Sequence, residues 1–223
     1  MLLLHGVRGS RLQMLSRARW LHGAGYSVLL IDFQAHGERT GTQISFGLKE
    51  SQDAAAALQF LHAKAPGEKV AAIAMSLGGA AALLGEQPLP VDALVLESVY
   101  PTIDEAVEDR LRIRLGGVAP LVAPLLLWQS KLFLGVSTQR LRPIDHTGEV
   151  ACPVFVIHGA EDQHTTIDEA KRLFDNAPET KTFWMVDGAA HQDLYAFATE
   201  EYQRRVSTFI KTAFQDQTLH DQH

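Results

Sequence analysis

Cysteine is nearly absent from this sequence of 223 residues, because Cys152 is the only one. An intrachain disulfide needs two cysteines, so none can form within one chain. A cluster of cysteines and histidines that could hold zinc is excluded by the same count. The sequence therefore predicts no metal site and is compatible with a reducing compartment.

Long apolar runs are also lacking. The longest one, residues 118–128, is interrupted by Pro120 and Pro124, and it falls well short of the roughly 20 residues that a membrane-spanning helix needs. The apolar start, residues 1–4, is too short for the core of a signal peptide. We therefore expect no membrane span and a cytoplasmic protein.

The sequence also lacks an excess of positive charge. Lys and Arg number 20 against 26 Asp and Glu, which gives a formal net charge of -6, and this balance repels a phosphate backbone. Nucleic acid is thus not an expected partner. Hydrophobic residues make up 46% and charged residues 21%, which is the composition of a globular domain, and the length predicts a single domain over residues 1–223.

Short apolar runs alternate with helix-like segments along the chain. Runs that are apolar throughout suit strands covered on both faces, and they occur at residues 2–4, 26–31, 70–75, 91–96, 154–157 and 182–186. Helices are expected between and after them, at residues 10–23, 48–65, 76–85, 166–177 and 199–214. This βαβα pattern predicts an α/β fold with a mostly parallel sheet flanked by helices.

One connection is longer than a simple link between two strands should be. Residues 115–139 lie in it, so we expect a small helical cap near 115–140 within a cap-like insertion at about 101–140. Its leucines and Trp128 favour contact with an apolar acyl group, although packing against the core would explain them nearly as well. Before it, Arg110, Arg112 and Arg114 alternate with apolar residues and acids, which predicts an exposed helix face.

A serine among small residues follows the third apolar run. Residues 74–79 read Ala-Met-Ser-Leu-Gly-Gly and place Ser76 between a strand and a helix. A nucleophile elbow needs this arrangement, because a tight turn lifts the hydroxyl above the sheet and small neighbours let strand and helix pass closely. A helix-capping serine would give the same local pattern. Ser76 is the candidate nucleophile, and Ala74, where glycine is usual, is a departure from the motif.

Backbone NH groups that could hold an oxyanion are expected at two turns. Residues 5–9 read His-Gly-Val-Arg-Gly after the first strand, and glycines permit a turn whose NH groups face a substrate carbonyl oxygen. The helix after Ser76 points its free NH groups at the same place. We predict an oxyanion hole formed by the NH groups of Val7 and Leu77, although a merely tight turn fits residues 5–9 equally well. Arg8 could guide an anionic substrate, but a solvated side chain is the simpler interpretation.

An acid and a histidine follow the last two predicted strands. Asp162 comes shortly after the fifth strand, where a rigid sheet could hold its carboxylate against an imidazole, and Glu161 and Glu97 are its rivals. His191 follows the last strand. A base is required because a serine hydroxyl is a poor nucleophile until its proton is removed. We predict that Asp162 orients His191, and the chain order Ser, acid, His is that of α/β hydrolases.

These motifs resemble those of the α/β-hydrolase superfamily, and specifically the compact bacterial hydrolases grouped with dipeptidyl-aminopeptidase-like and esterase-like proteins. The resemblance covers nearly the whole chain, through residues 5–9, 32–38, 74–79, 158–162 and 188–191. It implies an eight-stranded fold, a triad of Ser76, His191 and Asp162, and no cofactor. It also makes Asp32 and His36 part of a structural turn near the site.

The start of the chain departs from this family. Relatives carry an antiparallel pair of strands before the strand that leads into the His-Gly turn, whereas Met1 already lies in that strand. We therefore expect the N-terminal strand pair to be missing, either because it is lost or because the chain is a truncated or mis-started form. In the second case an N-terminal signal or anchor could be missing with it, which leaves the compartment open. A sheet edge exposed in this way could pair two copies of the chain in a homodimer.

Together these features predict a serine hydrolase that cleaves an ester or related acyl bond of a small-molecule substrate through an acyl-enzyme intermediate. A carboxylester is the first choice, with a thioester or peptide behind it. An acyltransferase or a cofactor-free haloperoxidase would use the same triad. A binding protein could keep the fold without activity, but the intact set of catalytic residue types favours an enzyme.

Overall fold

The computed structural model describes residues 1–119, 121–126 and 137–220, with side chains described as far as residue 215. In these ranges six strands form one sheet in the order β2-β1-β3-β4-β5-β6, with every neighbouring pair parallel. The strands are β1 (Leu2–Leu4), β2 (Leu29–Leu30), β3 (Ala71–Met75), β4 (Ala93–Glu97), β5 (Val154–Gly159) and β6 (Lys181–Val186). The predicted α/β fold is confirmed. The resemblance implied eight strands, whereas the described residues contain six.

Each strand falls on one of the six predicted apolar runs, and all except β1 have shifted ends. The largest difference is β2, which is only Leu29–Leu30 where residues 26–31 were expected. This strand lies at the sheet edge beside β1 and is half-buried, so its backbone has a ladder partner on one side only. The central strands β3 and β4 are almost wholly buried, as strands covered on both faces should be.

Helices cover the two faces of the sheet. They are α1 (Leu15–Gly23), α2 (Glu50–Lys64), α3 (Leu77–Leu83), α4 (Ile103–Leu115), α5 (Pro143–Thr147), α6 (Ile167–Asp175), α7 (Leu194–Phe197) and α8 (Thr199–His220). One apolar cluster joins strand residues such as Leu2 and Leu94 to α2, α3 and α6. A second joins the alternate residues, such as Leu3 and Val95, to α1 and α8. Two cores of this kind follow from the period of two along each strand.

Helix boundaries differ from the predicted ones by several residues, and three of the differences are at the first, third and last predicted helices. Ser10 caps a 3-10 turn, Arg11–Met14, and the α-helix proper begins only at Leu15. Helix α3 stops at Leu83, before the expected end at Gly85. Helix α8 continues past Phe214 to His220.

The region expected to form a cap, residues 101–140, lies only partly within the described ranges. It contains α4, a 3-10 turn at Gly116–Val118, helical residues 121–126 and a 3-10 turn at Thr138–Arg140. Residues 120 and 127–136, including Trp128, are outside the described part, so the cap prediction is not tested there. None of the described helices combines the length and the apolar composition that crossing a bilayer demands.

Candidate active site

Three of the predicted site residues, Val7, Ser76 and His191, border one cavity of about 430 Å³. It opens where the parallel strands end, because Val7 follows β1, Ser76 follows β3 and His191 follows β6. Ligands of open α/β sheets bind at this edge. The remaining described lining residues are Gly6, Gln13, Met75, Ser98, Arg110, His164, Gln192 and Asp193.

A larger cavity of about 810 Å³ lies elsewhere, against α2 and the end of α3. Its described lining holds His62, Lys49 and Glu86, but none of the predicted site residues. By volume alone, this larger cavity would be chosen as the active site. We assign the site by chemistry, because the smaller cavity brings together a strained serine and a histidine held by a carboxylate.

Ser76 occupies a sharp turn between β3 and α3. Its φ of 48° and ψ of -110° lie outside the regions that non-glycine residues favour, a conformation that costs about 1–3 kcal/mol and is concentrated at functional sites. Its NH donates to the Glu97 carbonyl oxygen at 2.8 Å, which ties the turn to β4. A Cβ on Gly78 would lie 2.6 Å from the Leu4 carbonyl oxygen. Gly78, two residues after Ser76, is therefore needed for α3 to pass close to β1.

Asp162 and His191 form a direct hydrogen bond. The Nδ1 of His191 lies 2.7 Å from Oδ2 of Asp162, whose carboxylate is buried while the imidazole is 21% exposed. The other carboxylate oxygen accepts from the NH groups of His164 and Thr165, at 2.8 and 3.1 Å. Because the carboxylate accepts from Nδ1, the Nε2 atom of His191 is free to accept a proton from the cavity.

The loops that carry these two residues are fastened to each other. Ala160 donates to the Val186 carbonyl oxygen at 3.0 Å and Glu161 to the Ala189 carbonyl oxygen at 2.8 Å. At Gly159 an added Cβ would lie 2.4 Å from the Ala189 carbonyl oxygen. Gly159 is thus required for the close approach that sets the distance between Asp162 and His191.

The charge of Asp162 is stabilised within its buried site. Burial alone would raise the pKa of this carboxyl, but the His191 hydrogen bond, the His191 and His158 charges and the Thr165 NH together lower it. Asp162 is therefore ionised at neutral pH. Its neighbour His158 is fully buried, with Nε2 2.8 Å from the Thr165 carbonyl oxygen, and burial lowers the pKa of that imidazole.

The two rival acids lie in other environments. Glu161 is exposed, and only its backbone takes part in fastening the loops. Glu97 is 1% exposed, and its carboxylate is bound by Arg17 at 2.7 Å and by the Tyr202 hydroxyl. Asp162 is the one of the three candidates whose carboxylate contacts His191.

The predicted oxyanion-hole residues lie on either side of Ser76. Val7 lines the cavity, and Leu77 begins α3 directly after Ser76. Within the described ranges, neither NH donates a hydrogen bond to a protein acceptor. Arg8, next to Val7, is exposed with a φ of 57°. The two free NH groups therefore remain candidates for binding a carbonyl oxygen.

The turn around Asp32 and His36 is structural. The Asp32 carboxylate accepts from the Arg11 NH at 2.6 Å, from the Arg11 guanidinium and from the Glu38 NH. His36 packs its ring 5.2 Å from that of His5. Neither Asp32 nor His36 lines the cavity with Ser76, in agreement with the interpretation drawn from the sequence.

Sequence reasoning was wrong about Arg110, which was expected on an exposed helix face. Arg112 and Arg114 are exposed, but Arg110 is half-buried and lines the cavity. Ser98 was also missed: it follows β4 with a φ of 49°, and its buried Oγ has no partner among the described residues. No sequence motif marks either residue, since each takes its position from the ending of β4 and the rotation of α4.

Among the described residues, no group of three or more His, Cys, Asp or Glu is arranged to hold a metal ion. The one cysteine, Cys152, is buried away from the site, and burial raises the pKa of its thiol to about 12.

Comparisons with known proteins agree with the fold. The Pyrococcus furiosus esterase Pf2001 superimposes with a TM-score of 0.75 at 24% identity, over 95% of this chain and 81% of that one. Among curated proteins, Rv2307c of Mycobacterium tuberculosis is 30% identical over 194 residues, 86% of this chain and 62% of its own length. YqkD of Bacillus subtilis is 22% identical over 213 residues, 94% of this chain and 70% of its own.

The family assignment rests on a match between this sequence and a known protein family. Residues 1–141 match the family described as serine aminopeptidase, S33, and this range includes the Ser76 turn and the His-Gly turn before Val7. The matched part is more than half of the 223 residues. The chain therefore belongs to the serine aminopeptidase S33 family of α/β hydrolases and is a hydrolase.

Proposed function

We propose that this protein is a carboxylesterase that works through an acyl-enzyme on Ser76, with His191 as general base and Asp162 as the acid that orients it. The observation that carries the proposal is the 2.7 Å hydrogen bond between Asp162 and Nδ1 of His191, in a histidine that shares a cavity with the strained Ser76. The substrate is a small molecule, and the proposed chemistry uses no cofactor or metal.

The first half of the reaction forms the acyl-enzyme. Nε2 of His191 takes the proton of the Ser76 hydroxyl while Oγ attacks the ester carbonyl carbon. The tetrahedral intermediate collapses with breakage of the bond to the alcohol oxygen, and the proton on Nε2 passes to that leaving alkoxide. Asp162 stabilises the imidazolium formed in between and stays ionised throughout.

The second half releases the acid. His191 takes a proton from a water molecule as the hydroxide attacks the acyl carbonyl, and the returned proton restores the Ser76 hydroxyl. In both halves the carbonyl oxygen gains negative charge. We assign its stabilisation to the NH groups of Val7 and Leu77, which is supported by their lack of partners in the described ranges.

The polar lining of the cavity favours an ester over an aminopeptidase substrate. An aminopeptidase must bind a free α-ammonium group close to the scissile bond, and an unpaired carboxylate would be needed to hold it. Asp193 is the only acid among the described lining residues, and Arg17 already pairs with it at 2.8 Å. The nearby Arg110 would repel an ammonium group. The esterase name of the Pyrococcus relative is in line with this choice.

The segment over residues 101–140 is proposed to act as a cap above a single α/β domain. Its described part exposes several large apolar side chains, namely Ile113, Leu115, Val118, Leu121, Leu125 and Leu126. Such residues suit contact with an acyl chain or hydrophobic leaving group. Polar substitution of Leu121 and Leu125 should therefore shift the acyl-length preference.

The proposal is tested by hydrolysis of p-nitrophenyl esters of increasing acyl length, beside an aminoacyl p-nitroanilide. We expect turnover of the esters in preference to the anilide, and loss of that turnover in Ser76→Ala. Preferred cleavage of the anilide would support the peptidase alternative. Full ester turnover by a folded Ser76→Ala variant would rule out the proposed nucleophile.

A further inference from the structure

Arg110 brings a positive charge to the cavity without a carboxylate to balance it. It lies on α4, and its Nη1 donates to the Ala106 carbonyl oxygen at 2.7 Å. No described carboxylate lies within salt-bridge distance of its guanidinium, whereas Arg112, two residues on, pairs with Glu108 at 2.6 Å. The remaining NH groups of Arg110 are therefore available to a ligand in the cavity.

The electrostatic surroundings leave this charge undercompensated. Burial lowers the pKa of the Arg110 guanidinium, and the attraction of Tyr100, Asp162 and Asp109 does not restore it, while Arg8 adds repulsion. An arginine stays protonated even so. The one acid of the described lining, Asp193, is held by Arg17 and also accepts from the NH groups at the start of α7. A negatively charged ligand would supply the counter-charge that the described residues do not provide.

We propose that Arg110 binds a carboxylate carried by the substrate, so that the enzyme prefers esters with an anionic group near the scissile bond. This inference builds on the proposed esterase function and names its substrate class. A guanidinium suits the role because its planar fork can donate two parallel hydrogen bonds to a carboxylate. Gln13, His164 and Gln192 add polar groups around the same cavity.

The test compares charged and neutral esters in two matched pairs. In the first pair the charge is on the leaving group: 4-acetoxybenzoate against 4-acetoxybenzamide. In the second it is on the acyl chain: mono-4-nitrophenyl adipate against 4-nitrophenyl hexanoate. The measured quantity is the ratio of kcat/KM for the anionic ester to that for the neutral ester, in the wild type, Arg110→Gln, Arg110→Lys and Arg114→Gln.

Both esters of a pair are measured with the same variant, so the ratio is insensitive to a general loss of activity in that variant. Arg110→Gln should lower it by about tenfold or more in at least one pair, the loss expected for a hydrogen bond to a charged group. The ratio for Arg110→Lys should fall between those of the wild type and Arg110→Gln. Arg114→Gln, whose exposed side chain lies one helical turn further along α4, should keep the wild-type ratio. The affected pair identifies the side of the substrate that carries the charge. Equal ratios for Arg110→Gln and wild type in both pairs would overturn the inference and leave the esterase proposal standing.

A binding measurement separates the inference from catalysis. In the Ser76→Ala background, isothermal titration with 4-hydroxybenzoate reports the contact without turnover. Weaker binding by the Ser76→Ala/Arg110→Gln double variant supports the role of Arg110, even if no ester proves to be a substrate. Equal binding by both proteins, or none by either, contradicts a contact on the leaving-group side, and the inference then stands or falls on the adipate and hexanoate pair.

Discussion

Arg17 forms an ion pair with Asp193 at 2.8 Å, two residues beyond His191, and the same Nη2 atom lies 2.7 Å from Glu97. Arg17 is fully buried, and its guanidinium also faces the rings of Tyr195 and Tyr202. The network therefore connects α1, β4 and α8 to the loop that carries His191. It gives that loop a fixed anchor on the sheet.

Arg17→Met should be strongly destabilising, because it leaves the Glu97 carboxylate buried with only the Tyr202 hydroxyl to bind it. We expect a loss of about 3 kcal/mol in the free energy of unfolding. Adding Glu97→Gln should recover much of this loss, since the unpaired charge is then removed. Urea denaturation measures both, with the exposed Arg19→Met as control. A cost for Arg17→Met no greater than that of Arg19→Met would contradict this account.

Asp162→Asn should abolish most activity without unfolding the protein. An amide in this place permits the wrong tautomer of His191, and loss of the orienting carboxylate lowers kcat by about 10⁴-fold in triad enzymes. Glu161→Gln, at the exposed neighbouring position, should keep nearly full activity. Steady-state kinetics with one p-nitrophenyl ester compares them. If the two variants were equally impaired, the assignment of the acid would be wrong.

Gly159→Ala should impair both stability and catalysis. The new methyl would overlap the Ala189 carbonyl oxygen at 2.4 Å and the Ala190 carbonyl oxygen at 2.8 Å, forcing apart the loops that hold Asp162 and His191. We expect a cost of about 1–3 kcal/mol together with a lower kcat. Gly23→Ala is the matched control, because a Cβ there meets nothing within 4 Å. Wild-type kcat in a folded Gly159→Ala protein would argue against this spacing requirement.

The carboxyl pair of Asp109 and Glu169 predicts a pH-dependent stability. Burial and the Asp109 hydrogen bond and charge raise the pKa of Glu169 to about 7 against an opposing Thr166 NH, and burial likewise raises the pKa of Asp109. The folded state therefore holds a proton that the unfolded state releases. Stability contributed by the pair is present below about pH 4.5 and is lost as the pH rises to about 7.

Asp109→Asn isolates this effect, because an amide can donate to the Glu169 carboxylate without repelling it. The same change removes the 3.2 Å ion pair of Asp109 with Arg112, so the effect is measured as a difference between two pH values. We expect the stability of the variant relative to wild type to be about 1 kcal/mol more favourable at pH 8 than at pH 5. Thermal unfolding at the two values gives the comparison. A difference between the proteins that did not change with pH would refute the shared proton.

The sheet and the order of the site residues could be predicted because each depends on local sequence. Apolar runs identified six strands, and Ser76, Asp162 and His191 each follow one of them, so parallel strands bring them to one edge. The helix start at Thr166 was equally local, since this threonine caps its helix. In such cases the signal lies within a few residues of the feature.

Features that depend on distant contacts could not be predicted. Arg17 and Glu97 are 80 positions apart, and no sequence pattern around either residue indicates its buried partner. Arg110 and Arg114 are one helical turn apart, so the sequence places them on similar faces. Which of them borders the cavity depends on how α4 packs after β4, and that is set by tertiary structure.

Reaction with a fluorophosphonate tests the central claim most directly, because the reagent bonds to an activated serine and its mass marks the site. Intact mass and peptide mapping of the treated protein should show one adduct, on Ser76. The adduct should fall sharply in His191→Ala and be absent from Ser76→Ala. An adduct on another serine, such as Ser98, or unchanged ester turnover after Ser76 is fully modified, would contradict the account.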